Sequence, residues 1–289
     1  TPFKEKIGID FSWIYGFEIE SIDPAYLNSD NVNFVTGIDS KLKTKEGINI
    51  QNLTIKDTYF GQLKCGVYKN NVVTSIGLSV SPYNNFRNIS VARYQRRINE
   101  VFEYIHEKYR IKIKYDFKSL YISKIEINTT FKLNGRYSEY MRALFILISS
   151  VPSRRFSANN CRGKNATNKI TAIYASEEEG NFLETIGLEN SSRKLTIYNK
   201  SQQLKDVGKL NLSDDYMRIE YKLKRKDSYI NTYLGETVAD LKDENISNLF
   251  IKMFTEDIIK PVREFRSKIK NNLKNIINGY IVKNNGKVP

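Results

Sequence analysis

The sequence predicts an α+β fold: an antiparallel sheet packed by amphipathic helices, with a helical C-terminal portion. Three observations predict it. Several short segments alternate apolar and polar residues with period two. Longer segments repeat apolar residues every three or four positions. The composition, 40% hydrophobic and 12% aromatic, is that of a globular chain and not of a disordered or collagen-like one. At 289 residues there is ample chain for a core, in one large domain or two modest ones. The expected division is an α+β domain over 1–234 and a helical extension over 235–289.

Taken in order, residues 6–20 and 54–80 read as short strands with turns, the second region punctuated by Gly61, Gly66 and the Asn70-Asn71 pair. Ser90 then reads as a helix N-cap. It is followed by Val91, Tyr94, Ile98, Val101, Phe102, Ile105 and Tyr109 at helical spacing, an amphipathic helix of about five turns. A second helix starts at Ser138, with Met141, Leu144, Phe145 and Ile148 as its apolar face, and ends before Pro152. A third helical region covers 246–277, kinked or broken at Pro261. Strand signals fill the intervals.

Several function classes are excluded by residue supply. Two cysteines, Cys65 and Cys161, cannot build a disulfide scaffold or a cysteine zinc cluster, and buried inert thiols are expected. The single His106 excludes any site that needs two histidines; on its helix it reads as a partly exposed residue and not as a ligand. A metal would therefore be held by carboxylates, which points to Mg²⁺ or Mn²⁺. No apolar run of about 18 residues occurs, so no transmembrane helix is expected. The first residues, 1–11, lack the apolar core of a signal peptide, and a cytoplasmic protein is expected.

Lys and Arg number 46 against 32 Asp and Glu, a net charge of +14. Such an excess suits a polyanionic partner, nucleic acid or an anionic membrane; a Lys- and Asn-rich proteome would give the same balance. The distribution favours a dedicated face. Residues 151–170 hold Arg154, Arg155, Arg162, Lys164 and Lys169 with no acid, in a Ser-, Asn- and Gly-containing loop. Residues 260–274 add Lys260, Arg263, Arg266, Lys268, Lys270 and Lys274 against Glu264 alone. Glu177, Glu178, Glu179, Glu184 and Glu189 gather separately.

Three alternating segments carry the chemistry. In 120–128, Ile125 and Ile127 share one face, and Lys124, Glu126 and Ile122 the other. In 194–200, Leu195 and Ile197 oppose Thr196, Tyr198 and Lys200. In 217–224, Met217, Ile219, Tyr221 and Leu223 oppose Arg218, Glu220, Lys222 and Lys224. In one antiparallel sheet, Glu126, Tyr198, Lys200 and Glu220 would converge. Two carboxylates can hold a divalent cation, a tyrosine hydroxyl is a competent nucleophile toward a phosphodiester, and a neighbouring lysine can lower its pKa. Alternating charge on a solvated strand face gives the same pattern with no site at all.

At these residues the sequence resembles the rolling-circle replication initiators of the filamentous-phage gene II type and their plasmid relatives. The resemblance is carried in order by IGLSVSPYNNFRN at 76–88, ISKIEINTTF at 122–131, SSRKLTIYNKSQQL at 191–204 and MRIEYKLKR at 217–225, and spans about 61–241. It implies a nicking-endonuclease-like fold and an endonuclease that makes a site-specific nick in origin DNA through a covalent 5′-phosphotyrosine intermediate. Tyr198 would be the nucleophile, with Lys200 as its basic companion. Glu126, Glu220 and, less directly, Glu184 would hold Mg²⁺ or Mn²⁺. Glu126 stands where the family usually has Asp, one methylene longer, and the paired histidines of many wider relatives are absent. No GxxxxGK[ST] phosphate loop occurs, so unwinding would fall to a host helicase. The DNA-contacting set would be Arg154, Arg155, Arg162, Lys164, Lys169, Arg193, Lys194, Arg218, Lys222, Lys224 and Arg225, with Lys226 beside them. Tyr174 and Phe156 would stack on bases or pack as ordinary aromatics. A non-catalytic origin-binding protein on the same scaffold is the alternative, and a plain interaction protein a third. Monomer and dimer are both open.

Overall fold

The computed structural model describes residues 7–283, apart from 27–29, 37–42, 45, 69–70, 80–88, 135, 151–168, 178–179, 207–211 and 225–228. In chain order the elements are β1 (Ile7–Tyr15), β2 (Glu18–Ile22), β3 (Val32–Thr36), β4 (Ile50–Asp57), β5 (Gly61–Tyr68) and β6 (Asn71–Ser79). Then come α1 (Val91–Tyr109), β7 (Ile111–Lys114), β8 (Tyr121–Lys132), α2 (Tyr137–Ser150), β9 (Lys169–Glu177) and β10 (Gly180–Glu189). Last are β11 (Arg193–Asn199), α3 (Lys200–Asp206), β12 (Tyr216–Lys224), α4 (Asp243–Phe254) and α5 (Lys260–Lys283). The class is α+β with a large antiparallel sheet, as the alternation predicts.

Two compact units emerge: Thr1–Asn134 with Ser192–Phe250, and Gly135–Ser191 with Ile251–Pro289. The boundary expected near residue 235 does not coincide with this division, because a helix and hairpin from the middle of the chain group with its C-terminal helix. In the first unit the strand order is β3-β4-β5-β6-β1-β8-β12-β11. A small second sheet pairs β2 with β7.

One face of the first unit's sheet is aliphatic. Ile9, Ile14, Leu53, Ile55, Leu63, Ile76, Leu78, Ile125, Ile127, Leu195, Ile197, Ile219 and Leu223 are all buried. Helix α1 supplies the matching layer, burying Val91, Tyr94, Ile98, Val101, Phe102, Ile105 and Tyr109, the residues its sequence period selects. Ser90 caps it, accepting from the Arg93 N–H at 3.4 Å. The Asp243 carboxylate accepts from the Val91 N–H at 2.7 Å, tying the starts of α1 and α4 together. His106 lies on the exposed side of α1, and burial raises the Cys65 thiol to about 12. Cys161 lies outside the described residues.

In the second unit α2 packs on β10, which pairs with β9, and Met141 of the expected apolar face is buried. Pro261 is the second residue of α5, inside a helical run that continues without a break from α4. The helix is widened immediately before it: Thr255–Ile259 forms a π-turn in which the Lys260 N–H reaches the Thr255 carbonyl. Among the described residues no helix is long and apolar enough to cross a membrane.

Two bulges reset the alternation of the central strands. In β1, Asp10 is an extra residue: Ile9 pairs with Ile127 and Phe11 with Glu126, so Asp10 and Phe11 both lie opposite Glu126. In β8, Ser123 is the extra residue, since Trp13 pairs with Lys124 and Ile14 with Ile122. That second bulge corrects one sequence expectation. Ile122 does not share a face with Lys124 and Glu126; it turns inward with Ile14 and is buried.

Candidate active site

β8, β12 and β11 lie side by side and antiparallel. Across the first ladder Glu126 pairs with Lys222, Asn128 with Glu220 and Thr130 with Arg218. Across the second, Thr196 pairs with Glu220 and Tyr198 with Arg218. Because side chains alternate, Glu126, Glu220, Tyr198, Arg218 and Lys222 occupy the sheet face opposite the aliphatic one. Glu126 and Glu220 are diagonal neighbours, separated at the backbone by roughly 7–8 Å.

The Tyr198 hydroxyl donates to Glu220 Oε2 at 3.4 Å. Burial raises the phenol pKa well above its ordinary value, and the Glu220 charge adds to this while Arg218 opposes it. Glu220 is pushed up to about 7, first by burial, then by the like charges of Glu126 and Asp10, with Arg218 and Lys222 pulling the other way. Glu126 Oε1 accepts from Lys222 Nζ at 2.7 Å and Lys124 Nζ at 3.2 Å. Arg218 is only 1% exposed. Its Nε donates to Thr130 Oγ1 at 2.9 Å and its Nη1 to Asp10 Oδ2 at 3.0 Å. Asp10 reaches this face because of the β1 bulge, and no feature of the sequence marked it.

Three other placements differ from expectation. Lys200 does not continue the alternation that carries Tyr198. The strand stops at Asn199, whose Oδ1 caps a new helix by accepting from the Gln202 N–H at 3.1 Å. Lys200 is the first residue of α3, is buried, and donates to Gln203 Oε1 at 2.8 Å. The positive charge on the Tyr198 phenol is that of Arg218, which was expected on phosphates and is instead buried between strands. Arg193 is also buried, with its guanidinium 4.5 Å from the Tyr229 ring centroid. Asn199 followed three residues later by Gln202 is a helix-start signature that could have separated Lys200 from the strand.

Lys194, Lys222 and Lys224 stand partly exposed on the polar face. Arg154, Arg155, Arg162, Lys164, Phe156, Arg225 and Lys226 lie outside the described residues, as does most of the 76–88 segment. Lys169, Tyr174 and Glu184 have described backbones only, on β9 and β10.

Among the described residues no group of three or more His, Cys, Asp or Glu side chains is placed to cage a metal. Glu126 and Glu220 share this face with Asp10, and the charges of Glu126 and Asp10 raise the pKa of Glu220. Mg²⁺ is characteristically held by one or two carboxylates with waters and substrate phosphates completing its shell. The pair fits that mode and not a self-sufficient cage.

No family model matches the chain, and no curated protein matches it. Among solved structures, it is similar to the rolling-circle replication initiator protein from Geobacillus stearothermophilus, with 11% identity and a TM-score of 0.40 over 88% of this chain and 85% of that one. It is also similar to DynU16, from the dynemicin biosynthetic locus, with 10% identity and a TM-score of 0.22 over 86% of this chain and 96% of that one. Neither likeness bears on the chemistry of the site, which rests on the residues themselves.

Proposed function

We propose that the protein is a DNA nicking and strand-transfer enzyme that initiates rolling-circle replication of a plasmid or phage, with Tyr198 as nucleophile. The observation that carries this reading is the Tyr198 hydroxyl donating to Glu220 on a polar sheet face that also holds Glu126, Arg218 and Lys222.

In this reading Tyr198 Oη attacks the scissile phosphorus while its proton passes to Glu220, whose raised pKa suits a general base. The bond from phosphorus to the 3′ oxygen breaks, and that oxygen leaves as a hydroxyl after taking a proton from water. The products are a 5′-phosphotyrosyl link and a free 3′-hydroxyl, which primes synthesis until a second strand-transfer step resolves the link. Arg218, held by Asp10 and Thr130, offsets negative charge on the phenolate. Lys222 offsets charge on the phosphate. A Mg²⁺ or Mn²⁺ held by Glu126, with waters and phosphate oxygens completing its shell, would supply Lewis-acid polarisation of the phosphate and leave Glu220 free to take the proton. Unwinding belongs to a host helicase.

The raised phenol pKa favours a second reading, an origin-binding protein that does not cleave. One experiment separates them. Supercoiled plasmid carrying the cognate origin is incubated with the protein and Mn²⁺. Nicking with a covalent adduct, both lost in Tyr198→Phe, supports the enzyme; sequence-specific binding with no adduct supports the second reading. The absence of specific binding at low salt rejects both.

A further inference from the structure

β1 is a central strand of its sheet, between β6 and β8. On the face that carries Glu126 and Glu220 it presents Phe11, Trp13 and Tyr15 in succession, all partly exposed. The neighbouring β6 positions are small: Ser79 beside Phe11, Gly77 beside Trp13 and Ser75 beside Tyr15. The Trp13 ring lies so close over Gly77 that a Cβ there would sit 2.7 Å from ring carbons. Phe11 and Trp13 meet edge to face at 6.3 Å, and Tyr15 stacks on Tyr121 at 5.4 Å.

Lysines accompany the rings. Lys124 Nζ lies 4.9 Å from the Phe11 centroid and Lys64 Nζ 5.5 Å from that of Trp13. Lys124 also bridges to Glu126, so the aromatic row is continuous with the candidate active site. The hydrophobic effect alone would place these rings on the aliphatic face, where Ile9 and Ile14 are buried. A row of aromatic rings interleaved with ammonium groups is instead the chemistry that holds unpaired bases, stacking each base on a ring and neutralising its phosphate.

From this we infer that the Phe11–Trp13–Tyr15 row is a track for single-stranded DNA leading to Tyr198. The inference rests on the nicking reading for the identity of the strand. A duplex, whose bases are stacked on one another, cannot use the rings in this way.

Trp13 is the only tryptophan, so its fluorescence reports on the track alone. The whole protein is titrated with oligothymidylate of roughly 12 nucleotides, with a duplex of equal length and with oligouridylate. Saturable quenching by the DNA single strand is expected, with little from the duplex. Phe11→Leu, which leaves Trp13 and its seat on Gly77 in place, is expected to weaken that binding by about 5- to 30-fold. No quenching, equal quenching by duplex, or quenching by RNA alone overturns the track. Tyr198→Phe should leave the quenching intact while abolishing the covalent adduct. An adduct without quenching would therefore remove the track and keep the nicking reading; quenching without an adduct would do the reverse.

Discussion

The first unit holds two tyrosine–carboxylate pairs on opposite sides of the question of reactivity. Asp57, at the end of β4, accepts from Tyr109 Oη at 2.6 Å, Lys108 Nζ at 2.8 Å, Tyr104 Oη at 3.0 Å and the Tyr59 N–H at 2.7 Å. Burial pushes its pKa up, but these donors outweigh burial and hold it below the ordinary value. Glu220 has the Tyr198 hydroxyl at 3.4 Å and two like charges near it, and is raised to about 7. Both carboxylates face phenols. One is saturated with donors and locks α1 to the sheet; the other holds its proton loosely enough to exchange it near neutrality. Hydrogen-bond supply, more than residue type, separates a structural pair from a reactive one.

The sharpest way to break this comparison is at the phenols. Tyr198→Phe is expected to abolish nicking and the covalent adduct, a loss on the order of 10⁴-fold or more, while thermal stability stays near that of the parent. Tyr109→Phe should leave the adduct in place. Next in size, Glu220→Gln is expected to slow nicking by roughly 10²- to 10⁴-fold. The rate of the parent should rise with pH through about 7, as Glu220 loses its proton. The variant should show no such rise.

The two carboxylates should also give opposite stability profiles. Glu220 has a folded pKa above its ordinary 4.5, so its contribution to stability is full below about pH 4.5 and is lost as pH rises toward 7. Glu220→Gln should therefore raise the unfolding free energy read from denaturant titration at pH 8 by up to about 3 kcal/mol and change it little near pH 4.5. Asp57 is depressed below 3.8, so its contribution is present above that value and lost as pH falls further. Asp57→Ala should cost about 2–4 kcal/mol at neutral pH by leaving buried donors unmatched, and less in acid. If both variants shift in the same direction with pH, the contrast fails. The smallest effect is expected at Gly77→Ala, where the new Cβ meets the Trp13 ring. A loss of about 1–3 kcal/mol, with a shifted Trp13 emission, is the expected result.

How much of this was legible in the sequence depends on the range of the interaction. The face of α1 was legible because one helix repeats its own period. The shared face of Glu126, Tyr198 and Glu220 was legible because period two is a local rule that three adjacent strands obey independently. Lys200 was misplaced because Asn199 ends the strand and caps a helix, a local signal that competed with the alternation and won. Ile122 was misplaced by the Ser123 bulge, which only the pairing with β1 defines. Asp10 was not found at all, because its role depends on Arg218, 208 residues away in the chain. Arg218 itself reads as a solvent-facing basic residue until its partners are known.

The two bulges differ in what they tolerate. Deleting Ser123 would let Ile122 follow directly beneath Lys124 with the same partners in β1, so the strand carries one residue of slack there. Deleting Asp10 would also regularise the ladder, but it would strip Arg218 of its carboxylate. Loss of either bulge residue thus leaves the inside–outside pattern of its strand intact. The Ser123 hydroxyl donates to the Trp13 carbonyl at 3.2 Å, a bond within the sheet, whereas the spare residue of β1 holds a buried guanidinium, so there the length of the chain is fixed by charge pairing as well as by packing.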